Sequence, residues 1–209
     1  MRAATHHHAV AVGRNQLEVD APVGPGGDGR LGGDRAANAG GREVLDRHRG
    51  PHQAAAIGWH PETIYVCSGA ATQAGLVLAK QLLRLPFDVV GVSASPFVSG
   101  KDEIIARVAG RAASLLGFPT AIAPAAVTNL DGYIGEGYGA LTDGSIEAMR
   151  LAARHEGLLL DPTYTAKAFA ALVDRRRRAV IAPDAAVLFL HTGGTPNLFL
   201  GRNARVAEA

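Results

Sequence analysis

The side chains with the clearest chemical potential sit in four short stretches. "SGAATQAG", Ser68 to Gly75, follows an apolar run and opens a helical one. Small residues at such a turn let backbone N–H groups approach an anion, and a helix N-terminus favours negative charge. Ser68, Thr72 and Gln73 add side chains that can hydrogen-bond there. A tight strand-to-helix turn that holds no ligand has the same composition, so this signal is weak by itself. "HTGGTP", His191 to Pro196, also ends an apolar run. Thr192 would set a hydroxyl at the carboxyl end of a strand, where open α/β sheets bind ligands. "DPTYTAK" carries Tyr164 and Thr165, and "GEGYGALTDG" carries Tyr138 in a glycine-rich loop. The chain has only four tyrosines, so two in such loops are candidates for contact with a flat ligand. The alternative is that each phenol packs and finds a hydrogen bond.

Other reactive residue types read as structural. Cys67 is the lone cysteine and lies in an apolar run with no base beside it. It reads as an inert buried thiol, excludes an internal disulfide framework and suits a reducing cytosol. His191 reads as a packed histidine. His6, His7 and His8 are adjacent and cannot converge on one metal without a scaffold, so no metal site is expected. His48, His52 and His60 share a helical spacing that Pro51 interrupts. "RRRR", Arg175 to Arg178, reads as a solvated helix end.

The elements that would position these residues alternate between strand and helix. "TIYVCSG", "DVVGVSAS", "LLLDP" and "AAVLFLHTGG" read as strands. "TQAGLVLAKQLLRL", with Thr72 as its candidate cap, "KDEIIARVAGRAASLLGF" and "AKAFAALVDRRRR" read as helices. "DGSIEAMRLAARHEG" reads as a fourth, with Asp143 or Ser145 near its start and Gly157 as its stop. This alternation is the signature of an α/β domain with a parallel sheet.

Composition divides the chain near residue 57. The preceding segment has no Phe, Tyr, Trp, Ile or Lys and holds five of the eight histidines. It shows no sustained hydrophobic period, so it is expected to lack regular structure apart from a short helix around "GREVLDRHR". Net charge is +2, which argues against nucleic acid held by electrostatics. No apolar run is long enough to span a membrane, and a cytoplasmic location is expected.

"TQAGL", "GYG", "EGLLLDPTYTAKA" and "FLHTGG", in this order and spacing, resemble the D-cysteine desulfhydrase and aminocyclopropane-carboxylate deaminase family. The resemblance runs from about Ile64 to Leu200. It implies an α/β fold, part of the tryptophan-synthase-β-like fold type II, with a mostly parallel sheet flanked by helices. It also implies pyridoxal 5'-phosphate as cofactor, a small amino acid as substrate and, for a complete member, a homodimer. Residues 58–209 would be the C-terminal portion of such a lyase domain, and residues 1–57 a low-order segment. Ser68, Gly69, Ala70, Ala71 and Thr72 would hold the cofactor phosphate, in place of the glycine-richer Gly-Ser-Gly-Gly-Thr usual in the family. Tyr164 matches the tyrosine that stacks on the pyridine ring, and Tyr138 matches the second active-site tyrosine. Thr165 and Thr192 match the two positions that separate the activities: deaminases carry Glu and Leu there, desulfhydrases a hydroxyl residue and Thr. A carboxylate beside the pyridine nitrogen makes the ring a stronger electron sink than a hydroxyl does. Two threonines therefore favour β-elimination, D-cysteine giving pyruvate, hydrogen sulfide and ammonia.

One group that the resemblance requires is missing. The family's Schiff-base lysine lies in a Gly-Asn-Lys context, followed by a Ser-Asn-His motif, both in its N-terminal part. Here no lysine precedes Lys80, and residues 1–60 contain neither motif. Lys80 and Lys101 lie on other helices, and Lys167 matches a lysine that the family carries besides the catalytic one. The chain by itself is therefore expected to be inactive. An Arg-, Gly-, Ala- and His-rich segment is what out-of-frame translation of a GC-rich gene gives; a truncated remnant is the other origin. A non-catalytic remnant, a deaminase-like protein and a binding module for a phosphorylated small molecule are the alternative readings.

Overall fold

The computed structural model describes residues 8–12, 44–46, 59–96, 100–118 and 120–206. In chain order, the strands are β1 (His8–Val12), β2 (Val44–Asp46), β3 (Thr63–Ser68), β4 (Asp88–Ser93), β5 (Thr128–Leu130) and β6 (Val187–His191). The helices are α1 (Ala71–Leu83), α2 (Lys101–Leu115), α3 (Asp143–Glu156) and α4 (Thr165–Arg177). Single 3-10 turns cover Pro124–Ala126, Thr195–Phe199 and Gly201–Val206.

The strands form one sheet in the order β2-β1-β6-β3-β4-β5. Strands β6, β3, β4 and β5 run parallel, whereas β1 pairs antiparallel with both β6 and β2. Helices cover both faces, which is why β3 and β4 read as near-continuous apolar runs. Successive side chains of a strand point to opposite faces. Ile64 and Val66 of β3 accordingly enter the layer with Ala74, Val77 and Leu78 of α1 and Ile105 and Ala109 of α2. Tyr65 and Cys67 enter the layer with Met149 of α3 and Phe169 and Leu172 of α4. Each fully buried Ile, Leu or Phe contributes about 2 kcal/mol to holding these layers together. Helix α4 is buried at every position from Thr165 to Val173.

The α/β class and the mostly parallel sheet expected from sequence are present. Several local expectations are corrected. Val44–Asp46 is a strand within the run read as a short helix, and His8–Val12 is a strand within the segment expected to lack regular structure. His6, His7, His48 and His52 lie outside the described residues. "LLLD" is not a strand. The His191 imidazole, not a ladder partner, takes up the Leu159 carbonyl, with Nε2 at 2.9 Å. Thr72 lies inside α1, whose N-cap position is Ala70 with no side-chain cap. Helix α3 is capped by Thr142, which forms a reciprocal capping box with Ser145, and it ends at Gly157. The arginine run is only partly solvated: Arg175 donates to the Tyr65 hydroxyl at 2.9 Å, and Arg177 pairs with Glu147 through both terminal nitrogens.

Candidate functional site

Strand β3 ends at Ser68, and α1 starts three residues later. The turn is open: Gly69, Ala71 and Thr72 are exposed, and nothing lies within 4 Å of the side-chain direction at Gly69. The Ser68 hydroxyl accepts the Gln73 N–H at 3.4 Å. The Gln73 side chain does not serve the turn, because its amide is buried and donates to the Thr128 carbonyl at 2.8 Å. The first turn of α1 holds no acidic residue. An uncapped helix N-terminus free of negative charge retains its capacity for an anion.

The "HTGG" turn after β6 lies beside this one, with the Thr192 hydroxyl 3.5 Å from the Cys67 carbonyl. Gly193 N–H donates to His191 Nδ1 at 3.2 Å, so Nε2 carries the ring proton toward Leu159. His191 is thereby a packing residue that ties β6 to Leu159, as its sequence context suggested. Gly194 has φ of 88°, and a Cβ there would stand 2.7 Å from the Asp161 carboxyl carbon. Only glycine meets both demands, which brings the "HTGG" and "DPTYT" segments together.

Asp161 is the organising residue of the second segment, and sequence reading passed over it. It is fully buried. Its carboxylate accepts the N–H groups of Thr163, Tyr164 and Thr165 at 2.9, 3.0 and 2.8 Å and the Thr165 hydroxyl at 2.7 Å. These bonds start α4 and fix Tyr164 at its entrance. The available signal was the Asp-Pro pair four residues before a helix, a turn-forming arrangement. Thr165 itself is 1% exposed, with its hydroxyl committed to Asp161.

Tyr138 and Tyr164 meet. Their hydroxyls are 2.5 Å apart, and the rings form an edge-to-face pair with centroids at 5.8 Å. Burial, followed by the bond to Tyr138, pushes the Tyr164 phenol well above its usual range, so it keeps its proton at neutral pH. Burial likewise raises the Cys67 thiol far above its usual range, which makes it inert. The loop carrying Tyr138 is anchored by Lys167, whose buried ammonium donates to the carbonyls of Ile134 at 2.5 Å and Ala140 at 2.9 Å. Burial lowers the Lys167 pKa.

The remaining lysines are also engaged. Lys80 pairs with Asp88 at 2.6 Å, away from the turns described. Lys101, read from sequence only as the start of a separate helix, reaches back to the carbonyl of Gly69. A cavity of about 790 Å³ opens beside it, lined among others by Ser93, Ser95, Lys101, Asn129 and Asp131.

The mostly parallel sheet with helices on both faces defines an α/β domain, and the Ser68–Thr72 turn and Thr192 stand at the carboxyl ends of neighbouring strands, where such sheets bind ligands. The profile of pyridoxal-phosphate dependent enzymes matches residues 41–193. The chain belongs to this family. It is 37% identical over 147 residues to the 1-aminocyclopropane-1-carboxylate deaminase of Burkholderia ambifaria, covering 70% of this chain and 44% of that protein. It is 38% identical over 138 residues to the D-cysteine desulfhydrase of Salmonella paratyphi C, covering 66% and 41% respectively. A crystal structure of an ACC deaminase homologue superposes with a TM-score of 0.61 at 30% identity, covering 70% of this chain and 43% of that one. The chain thus spans less than half the length of the relatives it matches. The resemblance read from the four motifs is borne out, and the family's cofactor is pyridoxal phosphate.

The residues present fit part of that cofactor. The α1 turn, open and without an acidic residue, is compatible with its phosphate, and the half-buried Tyr164 offers an aromatic ring. No lysine amine stands free next to the tyrosines: all three are bonded elsewhere. The binding elements fit and the Schiff-base donor does not.

Proposed function

We propose that this chain represents the C-terminal portion of a pyridoxal-phosphate-dependent lyase of the D-cysteine desulfhydrase type, and that by itself it is catalytically inactive. The complete enzyme would convert D-cysteine, or another amino acid with a β leaving group, to pyruvate, hydrogen sulfide and ammonia. It would be a cytoplasmic homodimer. Among the described residues no helix is long and apolar enough to cross a membrane. When bound, the cofactor supplies an electron-withdrawing ring that stabilises negative charge at the substrate α-carbon. The chain's own part is binding. Backbone N–H groups of residues 69–72 would hold the phosphate, Tyr164 would face the ring, and Thr192 would line the cofactor site. Tyr164, with its proton retained, would act as donor or stacking surface rather than as base.

Threonine at 165 and 192, rather than Glu and Leu, favours the desulfhydrase over the deaminase reading. The observation that carries the inactivity is the state of the three lysines, each tied to a carboxylate or to backbone carbonyls. The same observation favours a second reading, a non-catalytic protein that binds the cofactor without turning over substrate. The purified chain, given pyridoxal phosphate and D-cysteine, should release no sulfide above the rate with free cofactor. Borohydride should fix the cofactor to no specific lysine. Clear enzymic sulfide release, with one lysine labelled, would refute the inactive reading.

A further inference from the structure

Lys101 is the first residue of α2, yet its ammonium contacts the carbonyl of Gly69 in the turn that opens α1. Helix stability does not favour it there. The N-terminus of a helix carries the positive end of the macrodipole and disfavours a cation. Among the described residues, Lys101 has no ion pair with a carboxylate, although Asp102 and Glu103 follow it directly. The backbone is shaped to bring it to this position. Gly100 adopts φ of 79°, which residues with side chains rarely do, so the chain enters α2 by a route open to glycine. The charge of Lys101 also reaches Cys67, at the end of β3, where it opposes the effect of burial on the thiol.

The contact fixes a peptide plane. No peptide in the described chain is cis, and in a trans peptide the C=O of one residue and the N–H of the next point in opposite directions. Holding the Gly69 carbonyl toward Lys101 therefore turns the Ala70 N–H away from Lys101, at the residue that opens α1. Resting on the reading of residues 68–72 as the phosphate turn, we infer that Lys101 is a positioning residue for that phosphate. It holds the Gly69–Ala70 peptide in the orientation in which the Ala70 N–H is available to the anion. It is not the Schiff-base lysine and does not replace it.

The test uses the full 209-residue chain and two probes that cannot form Schiff bases, pyridoxamine 5'-phosphate and pyridoxamine. Dissociation constants are measured for both with wild-type, Lys101→Met and Lys101→Arg chains, and the Ala70 amide resonance is followed during each titration. Lys101→Met should weaken pyridoxamine 5'-phosphate by about tenfold, the scale of one charge-assisted hydrogen bond, and leave pyridoxamine within about twofold. Lys101→Arg should recover most of the loss. The Ala70 amide should move on binding of the phosphorylated probe in wild type and much less in Lys101→Met. Unchanged affinity of Lys101→Met for the phosphorylated probe would overturn the inference and leave the phosphate turn standing. Equal losses for both probes would overturn it in favour of a general structural role. A wild-type chain that binds both probes equally would remove the phosphate turn itself, and the inference with it.

Discussion

Cys67 shows what one residue's environment contributes. It sits in β3 with its thiol buried among α3 and α4. Burial raises its pKa above the ordinary 9.0, with Asp161 adding to the shift and Lys167 and Lys101 opposing it. Above about pH 9 the unfolded chain loses this proton while the folded chain keeps it, so stability falls as pH rises. Each pH unit should remove about 1.4 kcal/mol through this group. Lys167 acts in the opposite sense: its pKa is lowered, so its contribution rises with pH up to 10.5. Urea unfolding of wild type and Cys67→Ala between about pH 8 and pH 10 separates the two. The variant should start about 1 kcal/mol less stable and lose less with rising pH; parallel slopes would contradict the assignment. At this scale the sequence was partly legible. Tyr138 and Tyr164 were singled out by their loop positions and then by family motifs, and they do meet. Asp161 and Lys101 were not found, because their importance lies in contacts across turns and between helices that no local spacing reveals.

Among the elements, the loop between β5 and α3 depends on a residue from α4. Lys167 satisfies the carbonyls of Ile134 and Ala140, and so holds the stretch that presents Tyr138. Lys167→Met preserves length and apolar packing but leaves both carbonyls without their charged donor. It should cost about 2–4 kcal/mol in unfolding free energy and speed amide hydrogen exchange at Tyr138 and Gly139. Unchanged exchange in that loop would show that Lys167 does not hold it. The strands β3, β4 and β6 and all four helices were legible as apolar runs of the right length and period. Strand β5 was not, since three residues, Thr-Asn-Leu, carry no pattern, and their place is set by pairing with β4. "LLLD" misled for the opposite reason: it has the composition of a strand but no neighbouring ladder.

For the whole molecule, the sheet grows on both sides of β3, and its antiparallel margin comes from β1 and β2. Removing residues 1–57 would expose the β6 edge that β1 covers. The remaining chain should melt roughly 5 °C lower and associate more readily, as measured by scanning calorimetry and gel filtration. An unchanged melting temperature and size would show that β1 contributes nothing to the sheet in solution. The composition break near residue 57 made this margin illegible, because a strand recruited by an existing edge needs little hydrophobic pattern of its own.

The pairing of His8–Val12 with Val187–His191 also governs the order of events during synthesis. The first of these strands is synthesised well before its partner. Pairing at such sequence separation folds slowly. Until β6 is made, β1 has no native neighbour on that side, so a chaperone that shields extended segments would act on this strand before the sheet can close.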